Sequence, residues 1–255
     1  MSPTHASPTL PRRVRVLGLP VSATHTDDVV ELAVAAVAAG RTLRIAVTNH
    51  NKCWLGRRDP AVRSFLEDAE VVGAETSVVW AARALGREGV GAAPGVVLMG
   101  RLLERAHEGG WSVYLLGARE PVSRALADRM RTSWPGVRLA GRHHGYLTRD
   151  DEERVRGDVM TAAPDLLLVA MGSPLQERFL ATLPVGKGPR VRLGVGGGFD
   201  VHAGMKSDAP RWIRGSGMEW LWRSAQSPRL LPRYLVRNPW FVAAVLRERW
   251  LGAPR

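Results

Sequence analysis

Four short stretches of the 255-residue chain gather polar and glycine residues of types that can hold phosphate. They are VTNHNK (Thr48, Asn49, Lys52), LLGARE (Gly117), AMGSPLQE (Gly172, Ser173, Gln176, Glu177) and GVGGGFD (Gly196, Gly197, Asp200). Glycine lacks a Cβ, so a run of it closing an apolar segment lets a ligand touch the main chain. Backbone amides at such turns and at helix N-termini bind phosphate oxygens without side-chain charge. A nucleotide-diphosphate ligand is the expectation. The usual dinucleotide loop is excluded, because Gly-x-Gly-x-x-Gly would need a glycine where Phe199 stands and usually opens its domain rather than falling late in the chain.

Each stretch also has a plainer reading. In SPLQE, Ser173 can be a helix N-cap, Pro174 the first helical residue and Gln176 the third-position partner of a capping box, and this can coexist with ligand contact. Thr48 and Asn49 can simply end a strand and start a turn. His143 and His144 form a tandem pair without the spaced partners of a zinc site, so no metal site is expected. Cys53, the single cysteine, excludes an internal disulfide, agrees with a reducing compartment, and reads as structural.

These stretches need elements to position them. Apolar runs near residues 14 (VRVLGL), 43 (LRIAVT), 111 (WSVYLLG), 137 (VRLAG), 165 (DLLLVAMG) and 191 (VRLGVGG) read as strands. Amphipathic stretches such as TDDVVELAVAAVAAG and DDEERVRGDVMTAAP separate them, acidic in the first turn and closed by Gly or Pro. Wholly apolar strands separated by helices predict an α/β fold, a doubly wound and mostly parallel sheet covered on both faces. In such sheets ligands collect at the carboxyl ends of the strands, where all four stretches fall. After residue 207 the strand signals stop, and the remainder reads as short helices broken at Pro228, Pro232 and Pro239. The expected organisation is a disordered tail over 1–12, an α/β nucleotide-binding domain over 13–207 and a C-terminal helical appendage over 208–255.

Charge is uneven along the chain. Residues 201 to 255 hold ten Lys/Arg against three Asp/Glu, supplying +7 of the net +12, and five of the nine tryptophans. Arginine with indole suits a membrane surface, where the rings settle at headgroup level and the guanidinium groups meet phosphate. No apolar run reaches the roughly eighteen residues of a membrane span. The start, MSPTHASPTLPRR, lacks the apolar core of a signal peptide. The expected location is cytoplasmic, peripheral on the inner face of the cell membrane.

From about Val14 to Val242 these segments resemble the WecG/TagA/CpsF family of bacterial glycosyltransferases. The resemblance is carried by VTNHNK, SVVWAARALG, VYLLGARE, GRHHGYLT, MGSPLQERF, GVGGGFDVHAG, APRWIRGSGMEWLWR and RLLPRYLVRNPWFV. It implies a metal-independent, inverting transfer of a hexosyl unit, of the N-acetylmannosamine type or related, from a UDP-sugar donor to a polyprenyl-diphosphate-linked acceptor, with no cofactor. It places Thr48 and Asn49 near the reacting sugar, Gln176 at the donor pocket, and GVGGGFD as a wall of that pocket. In the appendage, Arg214, Arg223, Arg233 and Arg237 become candidates for the diphosphates, since arginine's fork pairs two oxygens and stays charged. A mobile basic appendage leaves open an equilibrium between a homo-oligomer in solution and a monomer on the membrane.

One departure from the family pattern bears on chemistry. An Asp-Gly pair, whose Asp is the proposed base, usually precedes the segment matched by SVVWAARALG; here Ala74 takes the Asp position and Glu75 the Gly position. A later Asp of the pattern is replaced by Pro94. Alanine accepts no proton, so Glu75 is the residue expected to act as base; a different donor with altered recognition is a further reading of the departure, and in the plainer one Glu75 is a solvated residue capping the helix that begins near Ser77. The rival reading is a non-catalytic member that binds nucleotide sugar or lipid diphosphate as partner of an active transferase. Nucleic acid is not expected as a partner, because Trp222 and its neighbours fall within a segment that matches the family.

Overall fold

The structure, a computed structural model, describes residues 9–207, 210, 213, 222, 225, 226 and 231–252. The chain enters through a hairpin, β1 (Arg13–Val16) and β2 (Leu19–Ser22), followed by α1 (Thr26–Ala38), β3 (Leu43–Thr48), α2 (His50–Leu55), α3 (Pro60–Asp68) and β4 (Val71–Ala74). Next come α4 (Thr76–Ala84), α5 (Gly95–Gly109), β5 (Ser112–Gly117), α6 (Glu120–Ser133), β6 (Arg138–His143) and α7 (Arg149–Ala162). The order closes with β7 (Leu166–Ala170), α8 (Leu175–Ala181), β8 (Val191–Gly194), α9 (Gly198–His202) and a C-terminal helix, α10 (Leu231–Leu251).

Strands β3 to β8 form one parallel sheet in the order β4-β3-β8-β7-β5-β6. Successive side chains of a strand point to opposite faces, and here both faces are apolar. Ile45, Val47, Val113, Leu115, Leu166 and Leu168 pack with α1, α5 and α6, whereas Ala46, Tyr114, Leu116, Leu167 and Val169 pack with α3, α4, α7, α8 and α10. That is the doubly wound α/β fold expected from wholly apolar strands.

Two strand expectations change. VRVLGL is not a strand of the parallel sheet; it turns at Leu17 and Gly18, both at positive φ, and its halves pair antiparallel as a separate ribbon. Conversely, VVGA forms β4, the edge strand beside β3. The appendage also departs from expectation, because α10 runs unbroken through Pro232 and Pro239. Pro232 lies in the first turn, where its missing N–H has no partner to lose. Pro239 and Leu235, whose carbonyl it deprives of a bond, both face solvent, so water can take that carbonyl. Pro228 lies outside the described residues.

One buried charge shapes the sheet's other end. Arg192 of β8 is fully buried, and its guanidinium donates to the carbonyls of Leu183, Pro184, Lys187 and Pro189. Burial pulls it down to about 10, and the four carbonyls satisfy it without a carboxylate. The loop between α8 and β8 therefore closes over an internal cation.

Candidate functional site

The sheet order places β4, β3, β8, β7 and β5 side by side, so their carboxyl ends form one continuous edge. Along it stand Ala74 and Glu75, Thr48 and Asn49, Gly194 to Gly197, Ala170 to Ser173, and Gly117. All four stretches singled out by residue type share this edge.

Three of them meet in a buried polar cluster. Glu177 Oε1 accepts from Lys52 Nζ at 2.8 Å, Gln176 Nε2 at 2.8 Å and Ser173 Oγ at 3.0 Å. Gln176 Oε1 in turn accepts the Gly196 amide at 3.1 Å. Burial alone pushes the Glu177 carboxyl up, but the Lys52 ammonium and the donated hydrogen bonds outweigh it and hold the group below its ordinary value. Ser173 does not cap α8: the N-cap position is Pro174, without a side-chain cap, and the Ser173 hydroxyl turns to Glu177. The capping-box reading of SPLQE is thereby corrected.

The glycines divide into those that admit structure and those that face open space. A Cβ on Gly117, at φ +138°, would come 2.5 Å from the Ala170 carbonyl carbon, so the close approach of β5 to β7 demands glycine. A Cβ on Gly194 would come 2.7 Å from Gln176 Nε2. By contrast Gly172, Gly196 and Gly197 have nothing within 4 Å of an added Cβ. Gly196 takes a left-handed turn at φ +52°, and Gly197 is the N-cap residue of α9. Asp200 lies on α9, with Lys206 Nζ 3.5 Å from its carboxylate.

Thr48 ends β3 and Asn49 follows it. The Thr48 hydroxyl is fully buried, has no nitrogen or oxygen partner and faces the Cys53 thiol, which burial pushes up to about 12. Cys53 is thus structural, since the neutral thiol is a poor nucleophile. Asn49 caps α2, its Oδ1 accepting the Lys52 amide at 3.0 Å. The Thr48 carbonyl accepts the Glu75 amide at 2.9 Å, which fixes the start of α4 beside β3. Glu75 is the N-cap residue of α4, yet its carboxylate makes no capping bond and is half-buried.

The two departures from the family pattern lie on neighbouring segments. Ala74 bridges to Ala92, and its carbonyl accepts the Ala93 amide at 2.8 Å, so Pro94 follows directly in the segment laid against β4. Ala74 is 1% exposed. That side chain is sealed, and Glu75 is the carboxylate that remains at the end of β4.

The appendage reaches this edge through α2. Arg237 donates to Asn51 Oδ1, His50 packs on Tyr234 with ring centroids 5.5 Å apart, and Trp54 meets Trp240 edge-on at 4.9 Å. The Arg58 guanidinium lies 3.5 Å from the Trp54 ring centroid. Of the arginines named from the sequence, Arg237 is the one placed; Arg214, Arg223 and the Arg233 side chain lie outside the described residues. Sequence reasoning noted Lys52 and Glu177 as strand-end polar residues but did not pair them, and it gave Asn51 no role. Among the described residues, no three His, Cys, Asp or Glu side chains cluster as a metal site.

A sequence model described as "Glycosyl transferase WecG/TagA/CpsF family" matches residues 14–255. The chain is 34% identical over 154 residues to proteins of Staphylococcus aureus strains MRSA252 and NCTC 8325 / PS 47, each named N-acetylglucosaminyldiphosphoundecaprenol N-acetyl-beta-D-mannosaminyltransferase. The match covers 60% of this chain and 60% of each of these relatives.

Proposed function

The chain belongs to the WecG/TagA/CpsF family of glycosyl transferases, and from that premise we propose that it moves a hexosyl unit, of the N-acetylmannosamine type or related, from a UDP-sugar to a polyprenyl-diphosphate-linked sugar. The observation that carries this reading is the gathering of glycine amides, Gln176, Asn49 and Glu75 on one edge of the sheet. The relatives' names supply the acceptor class, a sugar on undecaprenyl diphosphate.

In the proposed reaction the Glu75 carboxylate takes the proton of the acceptor hydroxyl while its oxygen attacks the anomeric carbon of the donor. The bond to the UDP oxygen breaks from the opposite face, so configuration inverts, and the electron pair leaves on UDP. Negative charge grows on the departing diphosphate, where the backbone amides at Gly172 and Gly197, beside the Gly196 turn, and the arginines Arg214, Arg223, Arg233 and Arg237 would stabilise it without a metal. Gln176 and Asp200 stand at the donor side with Ser173 and Gly117. Thr48 serves by holding the Glu75 amide, and Asn49 through the Nδ2 that capping leaves unspent.

The proposed place of action is the cytoplasmic face of the membrane, where the acceptor is held. Among the described residues no helix is long and apolar enough to cross a membrane. Leu235, Val236, Val242, Leu246 and Trp250 form an exposed apolar side of α10, with Arg247 and Arg249 beside it. That composition fits an interfacial helix.

A second reading, a non-catalytic partner that binds nucleotide sugar, draws on the sealed Ala74. Acceptor-dependent UDP release by the parent chain separates the two, and Glu75→Gln then tests the base. The transferase reading expects turnover to fall at least 100-fold, the usual contribution of a general base, with UDP affinity nearly intact. A variant that keeps the parent rate removes Glu75 from the base role.

A further inference from the structure

Lys52 of α2 and Glu177 of α8, the helices that follow β3 and β7, are opposite charges sealed together with side-chain exposures of 6% and 1%. Apolar residues of equal volume commonly replace such a pair at no loss of stability, so stability alone does not account for it. Its geometry does. The carboxylate can only accept hydrogen bonds, and the Gly196 amide can only donate one. Between them lies the Gln176 amide, which could otherwise flip and exchange its donor and acceptor ends. Glu177 Oε1 takes Gln176 Nε2, so Gln176 Oε1 must face Gly196. Lys52 and Ser173 hold that same carboxylate oxygen, while Glu177 Oε2 is buried without a partner.

We propose that Lys52 and Glu177 are positioning residues, a buried ion pair that fixes the orientation of the Gln176 amide and, through it, the Gly196 turn that faces the donor's nucleotide sugar. The identity of that ligand rests on the function proposed above; the positioning does not. Lys52 supplies the cation that keeps the carboxylate ionised, and Glu177 the acceptor that selects one amide orientation. Gly194 completes the arrangement, since any Cβ there would press on Gln176 Nε2.

The test is the volume-conserving double variant Lys52→Met with Glu177→Met, which strands no charge. Amide hydrogen exchange is followed residue by residue, with Val195 as internal reference because it precedes Gly196 in the same loop and its N–H bonds to the Val169 carbonyl of β7 at 2.8 Å, independently of Gln176. The expected result is Gly196 exchange faster by about tenfold, the size of one lost buried hydrogen bond, with Val195 unchanged. UDP-sugar affinity should fall by a similar factor while the thermal midpoint holds. Equal acceleration at both amides, or none at either, overturns the proposal. Faster exchange at Gly196 alone in a protein whose parent binds no UDP-sugar supports the positioning and sinks the proposed function instead.

Discussion

Gly194 and Gly197 sit three residues apart and answer to different constraints. Gly194→Ala brings a methyl group onto Gln176 Nε2 and should disturb the amide, lowering both stability and donor affinity. Overpacking of this kind typically costs about 1–3 kcal/mol, read as a fall in thermal midpoint. Gly197 has open space around its missing Cβ and an ordinary φ of −75°. Gly197→Ala should therefore leave the midpoint within about 1 °C yet weaken UDP-sugar binding, because the new methyl occupies the space assigned to the donor. Unchanged affinity in calorimetry would remove Gly197 from the donor wall. The types of these residues were legible in the sequence; their separate reasons were not, because they depend on whether a side chain from another element, here Gln176 of α8, is brought against the glycine.

At the scale of elements, α10 is the least settled contact. Its Glu248 is 6% exposed, neither carboxylate oxygen has a well-formed hydrogen bond, and the nearest cation, Arg87, lies 3.9 Å away. Burial raises the carboxyl above its ordinary value, against weaker pulls from Arg87, the poorly aligned Leu17 amide and Arg57. A raised carboxyl favours the docked helix most below the ordinary carboxylate value, and that contribution is lost as pH rises through the raised one. Hydrogen exchange in α10, corrected for intrinsic rates, should thus quicken between acidic and neutral pH. Glu248→Gln should abolish that dependence and raise the midpoint at neutral pH by about 2–4 °C, the effect of roughly 1 kcal/mol in a chain of this size. A pH dependence that survives the substitution assigns it elsewhere. The sequence showed α10 only as broken helices, since proline rules do not reveal which side of a helix meets water. It missed β4 because four residues, one of them glycine, carry too little pattern, and it merged β1 with β2 because the turn at Leu17 lacks a proline or polar signal.

Across the whole molecule, the sheet turns scattered sequence signals into one edge. Five of the six runs read as strands lie in the parallel sheet; β3, β5 and β7 bury apolar residues on both faces, whereas β6 is an edge strand without a fully buried residue. The pairing of Lys52 with Glu177 was illegible, since strand order, not spacing, brings them together. Deleting residues 208 to 255 should weaken binding to anionic liposomes and stop transfer to lipid acceptor; unchanged activity would make the appendage dispensable. The central claim is tested most directly by UDP release from the purified chain, using a panel of UDP-sugars with and without a short-chain polyprenyl-diphosphate-GlcNAc acceptor. The account predicts acceptor-dependent release from one sugar, abolished by Glu75→Gln. Detectable UDP binding with no acceptor-dependent release across the panel would contradict it and favour the non-catalytic reading.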